Sequence, residues 1–173
     1  KEEVQSLGAK FVEVEGAADA SKAGGYAVEQ SADFQNRQHQ RIHESAKKSD
    51  IIITTAQIPG RQAPILITKE MIEDMRAGSV IVDLAASTGG NTDYTKNNET
   101  VLQNGVTIIG NSALAATASS DASKVYSKNV LNFLKLVIDK DGNFNMNMDD
   151  DLVKGTAIAY NKEVINDRVK SLL

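Results

Sequence analysis

Three short stretches hold the side chains best suited to seating a flat, polar ligand: Thr54-Thr55-Ala56-Gln57-Ile58-Pro59-Gly60, residues 83–91 with Gly89-Gly90 inside them, and residues 110–116. Glycine and alanine let a ligand lie close to the backbone, and threonine and asparagine offer short hydrogen bonds. Acids, bases and nucleophiles are scarce in these stretches, Asp83 being the exception. That scarcity fits a reaction whose chemistry is brought by a cofactor. Hydride transfer between two nicotinamide rings is one such reaction. It needs no protein nucleophile, and orientation with exclusion of water is worth up to roughly 7 to 11 kcal/mol. Read without a ligand, the same stretches are ordinary turns between strands and helices.

Other residues invite a chemical reading and lose it on spacing. His39 and His43 stand i, i+4 apart, so both can face one metal ion from a helix. Gln40 stands where an HExxH pattern has its glutamate, and no third ligand is apparent, so a solvated helix face is expected and no metal site. Asp149-Asp150-Asp151 lacks the spacing of a calcium loop and reads as a solvated turn. Tyr26, in Gly24-Gly25-Tyr26-Ala27, is either a lid residue or an aromatic anchor for a surface loop, because paired glycines free the backbone beside it.

The elements that would position these residues follow from periodicity. Residues 2–8 read as a helix end closed by Gly8, and the absence of an initial methionine leads us to expect chain upstream of Lys1. Residues 10–14 alternate apolar and polar, as a half-exposed strand does. A soft stretch, 16–30, precedes a helix over 31–48 with Ser31 as N-cap and Phe34, Ile42 and Ala46 on one stripe. Residues 51–54 are β-branched on both faces, predicting a central parallel strand. A helix from Thr68 to Arg76, closed at Gly78, leads to a strand over 79–83, and a further strand over 106–109 leads to a helix over 121–137. That helix carries Val125, Val130, Leu131, Phe133, Leu134 and Val137. Beyond the Asp141-Gly142 turn signal, residues 144–148 and 152–160 are expected to form a polar hairpin. Helices alternating with short apolar strands predict an α/β, doubly wound parallel sheet. Ligands of such sheets settle outside the carboxyl ends of the strands, where the three stretches would lie.

Composition narrows the class further. The 173 residues are 41% hydrophobic and 24% charged, which is globular composition. A net charge of -4, with lysines and acids interspersed, lacks the basic face of a nucleic-acid binder, so no nucleic-acid partner is expected. With no cysteine, disulfides and thiolate chemistry are excluded. The apolar runs are too short to span a bilayer.

Taken in order, several segments resemble the NAD(H)-binding subunit of the proton-translocating nicotinamide nucleotide transhydrogenases, over nearly the whole chain. They are Leu7-Gly8-Ala9, Gly24-Gly25-Tyr26-Ala27, the run from Asp50 through Thr54-Thr55-Ala56-Gln57 to Arg61, Met75-Arg76-Ala77-Gly78-Ser79-Val80-Ile81-Val82-Asp83-Leu84-Ala85, Gly89-Gly90-Asn91 and Lys128-Asn129-Val130-Leu131-Asn132-Phe133-Leu134. The resemblance implies a Rossmann-like NAD(H)-binding domain over residues 1–137 and a hairpin and tail over 138–173. It implies a mobile loop whose Tyr26 folds over NAD(H), with further contacts from Thr54, Thr55, Ala56, Gln57, Asp83, Leu84, Gly89, Gly90 and Asn91. It also implies hydride transfer to NADP⁺ on another subunit, coupled to proton movement through a membrane subunit. The implied subunit is a homodimer, cytoplasmic and peripheral to the inner membrane. The chain departs from the pattern at Gly110-Asn111-Ser112-Ala113-Leu114-Ala115-Ala116-Thr117, where a proline and a basic residue are usual.

By the same resemblance the GxGxxG turn, the acidic ribose-binding residue and the arginine-glutamine-aspartate loop lie upstream of Lys1. In the strand order 3-2-1-4-5-6 the strand over 10–14 would be third, and strands one and two would be missing between it and the rest. The expectation is an interrupted sheet, completed by another piece of chain or rearranged. Two further readings stand beside this one. Alanine dehydrogenase shares the architecture, and a non-catalytic interaction domain could keep the fold without the cofactor.

Overall fold

In the computed structural model, which describes residues 2–14, 31–58 and 60–173, the three β-branched runs become neighbouring parallel strands. In chain order the first elements are α1 (Glu2–Ser6), α2 (Ala32–Ala46), β1 (Ile51–Thr54), α3 (Lys69–Glu73), β2 (Val80–Asp83), β3 (Thr100–Gln103) and β4 (Val106–Ile109). Two helices start where their caps direct. Ser31 Oγ accepts from the Phe34 amide, and Thr68 Oγ1 accepts from the Met71 amide, satisfying N–H groups that a helix start leaves open. α3 is shorter than expected, ending at Glu73 with Asp74 as its C-cap. The contacts divide the chain into two compact units, Lys1–Ala113 and Leu114–Leu173.

The first unit is built on a four-stranded sheet in the order β1-β2-β4-β3. Register places Ile52 beside Ile81, Ile81 beside Ile108, and Ile108 beside Val101. Cα partners on adjacent strands share a face, so these four make one apolar row across the sheet. The row packs with Ala46 of α2, Met71 and Ile72 of α3, and Met75 in a single core cluster. Ile72, Ile81, Val106 and Ile108 are fully buried, each worth about 1.5 to 3 kcal/mol relative to exposure. Further along the strands the pairing becomes Thr54 beside Asp83, both buried at the carboxyl end of the sheet.

Three expectations change. Residues 10–14 are not a strand: they are mostly exposed and belong to no ladder, and alternation alone cannot make a strand without a neighbour to bond. β1 lies at the edge of this sheet, not in its centre, and its Ile51 and Ile53 side chains are exposed. The four strands themselves form one continuous sheet, β1-β2-β4-β3. Finally, the sheet is mixed: β3 pairs antiparallel with β4 through Asn104-Gly105, where φ is +51° and +78°. Both values lie in the left-handed region that a type I′ hairpin turn requires.

The second unit opens with α4 (Leu114–Thr117), in a stretch expected to be loop, followed by α5 (Ser119–Val137). Val137 is buried, whereas Val125, Val130, Leu131 and Leu134 are exposed, so the apolar stripe read from the sequence is largely open. Asp139 closes the turn after α5: its Oδ1 accepts from the Asp141 and Asn143 amides and its Oδ2 from Asn143 Nδ2. The expected hairpin over 144–160 is replaced. Asp150 caps α6 (Asp151–Thr156) by accepting from the Leu152 and Val153 amides, which turns the acidic run into a helix start. A short hairpin of β5 (Ala159–Tyr160) and β6 (Glu163–Val164) follows, then α7 (Asp167–Lys170). Among the described residues no helix is long and apolar enough to cross a membrane.

Candidate functional site

The carboxyl ends of β1 and β2 carry two loops, residues 55–67 and 84–95, and the buried Asp83 and Asn91 hold them together. Asp83 ends β2 with no exposed surface. Its Oδ1 accepts from the Ala85 amide at 2.9 Å, and its Oδ2 accepts from the Asn91 amide at 2.6 Å and from Thr95 Oγ1 at 2.6 Å. A carboxyl group taken out of water needs several donors to offset its lost hydration, and three are supplied. Thr92 Oγ1 lies 2.7 Å from Thr95 Oγ1. A hydroxyl has one hydrogen, and Thr95 gives its own to Asp83, so Thr92 is the donor of that pair.

Asn91, also without exposed surface, joins the two loops. Its Oδ1 accepts from the Ala56 amide at 3.0 Å, while its Nδ2 donates to the carbonyls of Ala56 at 2.9 Å and Pro64 at 2.8 Å. Its own carbonyl receives the amides of Leu66 and Ile67. Gln57 Nε2 adds a bond to the Leu84 carbonyl at 3.2 Å, and the Leu84 amide donates to Thr54. Gly90, at φ +84°, passes between these groups: a Cβ there would strike the Thr95 side chain and come 2.8 Å from Asp83 Oδ2. Only glycine has both the backbone freedom and the space.

The residues singled out in the sequence thus sort into a frame and a rim. Asp83, Gly90 and Asn91 are buried frame, and Ala56 is half-buried with its amide and carbonyl both taken by Asn91. Thr55, Gln57, Leu84 and Gly89 are exposed at the rim. Thr54 is buried at 6% exposure, and its Oγ1 has no hydrogen-bond partner among the described residues. Tyr26 lies outside the described residues. The third stretch keeps its bonds to itself and to its approach: Asn98 Oδ1 receives the Ser112 amide and hydroxyl, and the Gly110 amide donates to Glu99.

His43 has a different employment. Its Nε2 lies 2.9 Å from Asp74 Oδ2, which Lys47 Nζ also approaches at 2.8 Å, so the pair ties the end of α2 to the C-cap of α3. The Lys47 hydrogen bond first, then that of His43, holds the Asp74 carboxyl below its ordinary value. Among the described residues no group of three His, Cys, Asp or Glu side chains is placed to hold a metal. Thr92, Thr95 and Pro64 were missed by sequence reasoning. Closeness to Gly89-Gly90-Asn91 hinted at Thr92 and Thr95, and nothing local hinted at Pro64, 27 residues from Asn91, because these roles depend on which groups face one another after folding.

Comparison with known proteins places the chain in a family. The model of the alanine dehydrogenase/PNT C-terminal domain matches residues 1–167. An NAD(P) transhydrogenase subunit alpha protein of Rickettsia prowazekii (strain Madrid E) is 48% identical over 166 residues, covering 96% of this chain and 43% of that protein. The crystal structure of transhydrogenase from Sinorhizobium meliloti superposes with a TM-score of 0.70 at 38% identity, covering 95% of this chain and 42% of the other. An L-alanine dehydrogenase structure superposes at 0.58 with 23% identity over 78% of this chain and 38% of the other, a likeness of fold alone. The chain spans less than half the length of these relatives. The fold is Rossmann-like, a mixed, mainly parallel sheet with helices, and the chain belongs to the alanine dehydrogenase/PNT C-terminal domain family, with transhydrogenase alpha subunits among its relatives.

Proposed function

We propose that this chain is the NAD(H)-holding portion of a transhydrogenase subunit, which passes hydride between NADH and NADP⁺ on a partner subunit while a membrane subunit moves protons. The observation that carries the reading is the pair of loops bound together at the carboxyl ends of β1 and β2, the crevice where open α/β sheets take their ligands. The donor set fits a dinucleotide. Thr54 offers a buried hydroxyl without a partner among the described residues, and Thr55, Gln57, Leu84 and Gly89 form an exposed rim of hydroxyl, amide, apolar and backbone surface. When bound, NAD(H) supplies the carbon that gives or takes the hydride. The chain's share is to seat the ligand, orient it and keep water out, with Tyr26 closing over the site. In this reading Asp83 and Asn91 fix the loops, and the subunit works as a homodimer on the cytoplasmic side of the membrane.

The matching family model also covers alanine dehydrogenases, which makes alanine oxidation the competing activity. Assaying the full-length protein for NADH-dependent reduction of an NADP⁺ analogue, with its partner subunits present, and for alanine-dependent NAD⁺ reduction separates the two. Hydride transfer to the NADP⁺ analogue without alanine oxidation is expected. Alanine oxidation would replace the proposal with its competitor.

A further inference from the structure

We propose that Thr95 is a positioning residue of this site, and that it acts through Asp83 as a brace reaching the loop after β1. This rests on the reading of the two loops as a nucleotide seat. The Asp83 carboxyl has no exposed surface, and three donors from its own strand end and loop already occupy its two oxygens. Without exposed surface it offers no face to a ligand hydroxyl in this arrangement. What it does instead is continue a line of polar groups. The Tyr94 amide donates to Thr92 Oγ1, Thr92 to Thr95, and Thr95 to Asp83 Oδ2. The same Oδ2 receives the Asn91 amide, and the Asn91 side chain then engages both the amide and the carbonyl of Ala56, 35 residues away in sequence.

Thr95 therefore stands inside a connected set that starts at Thr92 and reaches Ala56, between the rim residues Thr55 and Gln57. Its methyl group also packs against the place where any Cβ on Gly90 would sit, so hydroxyl and methyl fix the loop from the same side. Losing the hydroxyl would leave Asp83 a donor short in a place water does not reach, where each missing bond to a charged group is costly. The nearest relief is a shift of the Asp83 and Asn91 pair, and Asn91 cannot move without loosening Ala56. Ligand affinity would fall although Thr95 itself touches no ligand.

The test uses the full-length protein with Thr95→Val, Thr95→Ser, Thr92→Val, Asp83→Asn and the Thr95→Val/Asp83→Asn double variant. Hydrogen exchange at the Ala56 and Asn91 amides is followed without nucleotide, and NADH affinity is measured by calorimetry. Thr95→Val is expected to speed exchange at the Ala56 amide and raise the NADH Kd about tenfold, with Thr95→Ser restoring both. Thr92→Val, one step further out, should move both readings in the same direction by less. The double variant should bind about as weakly as Asp83→Asn alone, since coupled residues are not additive. Unchanged exchange at Ala56 in Thr95→Val and Thr92→Val would overturn the brace. So would a normal NADH Kd in Thr95→Val beside a raised one in Asp83→Asn, the result expected if Asp83 touched the nucleotide directly. If the unaltered protein binds no NADH, the nucleotide reading fails, and the exchange data still decide for or against the brace.

Discussion

At the residue scale the most exposing substitution is Asn91→Ala. Among the described residues Asn91 satisfies backbone groups of the first loop at two places, Ala56 and Pro64. Removing it strands two carbonyls and an amide together, and buried polar groups left unpaired cost far more than a lost surface bond. We expect a loss of about 2 to 4 kcal/mol in denaturant unfolding. A change below about 0.5 kcal/mol, the range of ordinary surface substitutions, would mean that water replaces the side chain and that the loops are not held as described. The sequence made Asn91 visible, through Gly89-Gly90-Asn91, but as a ligand contact. Its structural employment depends on groups 27 to 35 residues away, which no local pattern encodes.

At the scale of elements, α2 and α3 are joined by Asp74, which accepts from Lys47 and His43. Its carboxyl is held below the ordinary 3.8, by Lys47 first and His43 second. A carboxyl depressed in the folded state contributes stability that is whole above its unfolded value and is lost as pH falls through the folded one. The thermal midpoint of Asp74→Asn should therefore trail that of the unaltered protein at neutral pH, and the two should converge as the pH drops below 3.8. A gap that persists in acid would assign the loss to something other than the charge. The elements differed in how plainly the sequence announced them. The β-branched runs and the caps Ser31 and Thr68 were legible because their signals are local. The hairpin of β3 and β4 was equally announced, by Asn104-Gly105 between two alternating runs, and went unread because alternation of helix and strand pointed to parallel pairing alone. Residues 10–14 failed for the opposite reason: the local pattern was a strand's, but a strand exists only in its pairing. In α6, one good cap at Asp150 outweighed the Asp141-Gly142 turn signal that suggested a hairpin.

At the scale of the whole molecule, the edge of β1 is unpaired among the described residues, and the loops at the carboxyl ends of β1 and β2 belong to a chain whose relatives run to more than twice its length. On the proposed function those loops seat NAD(H) in preference to its phosphorylated counterpart. The direct measurement is calorimetric titration of the full-length protein with NADH, with NADPH as the comparison ligand and Tyr26→Ala as the control. NADH is expected to bind, NADPH at least about tenfold more weakly, a difference of about 1.4 kcal/mol, and Tyr26→Ala to weaken NADH. Equal affinity for the two nucleotides, or heat from neither, would contradict the proposed function.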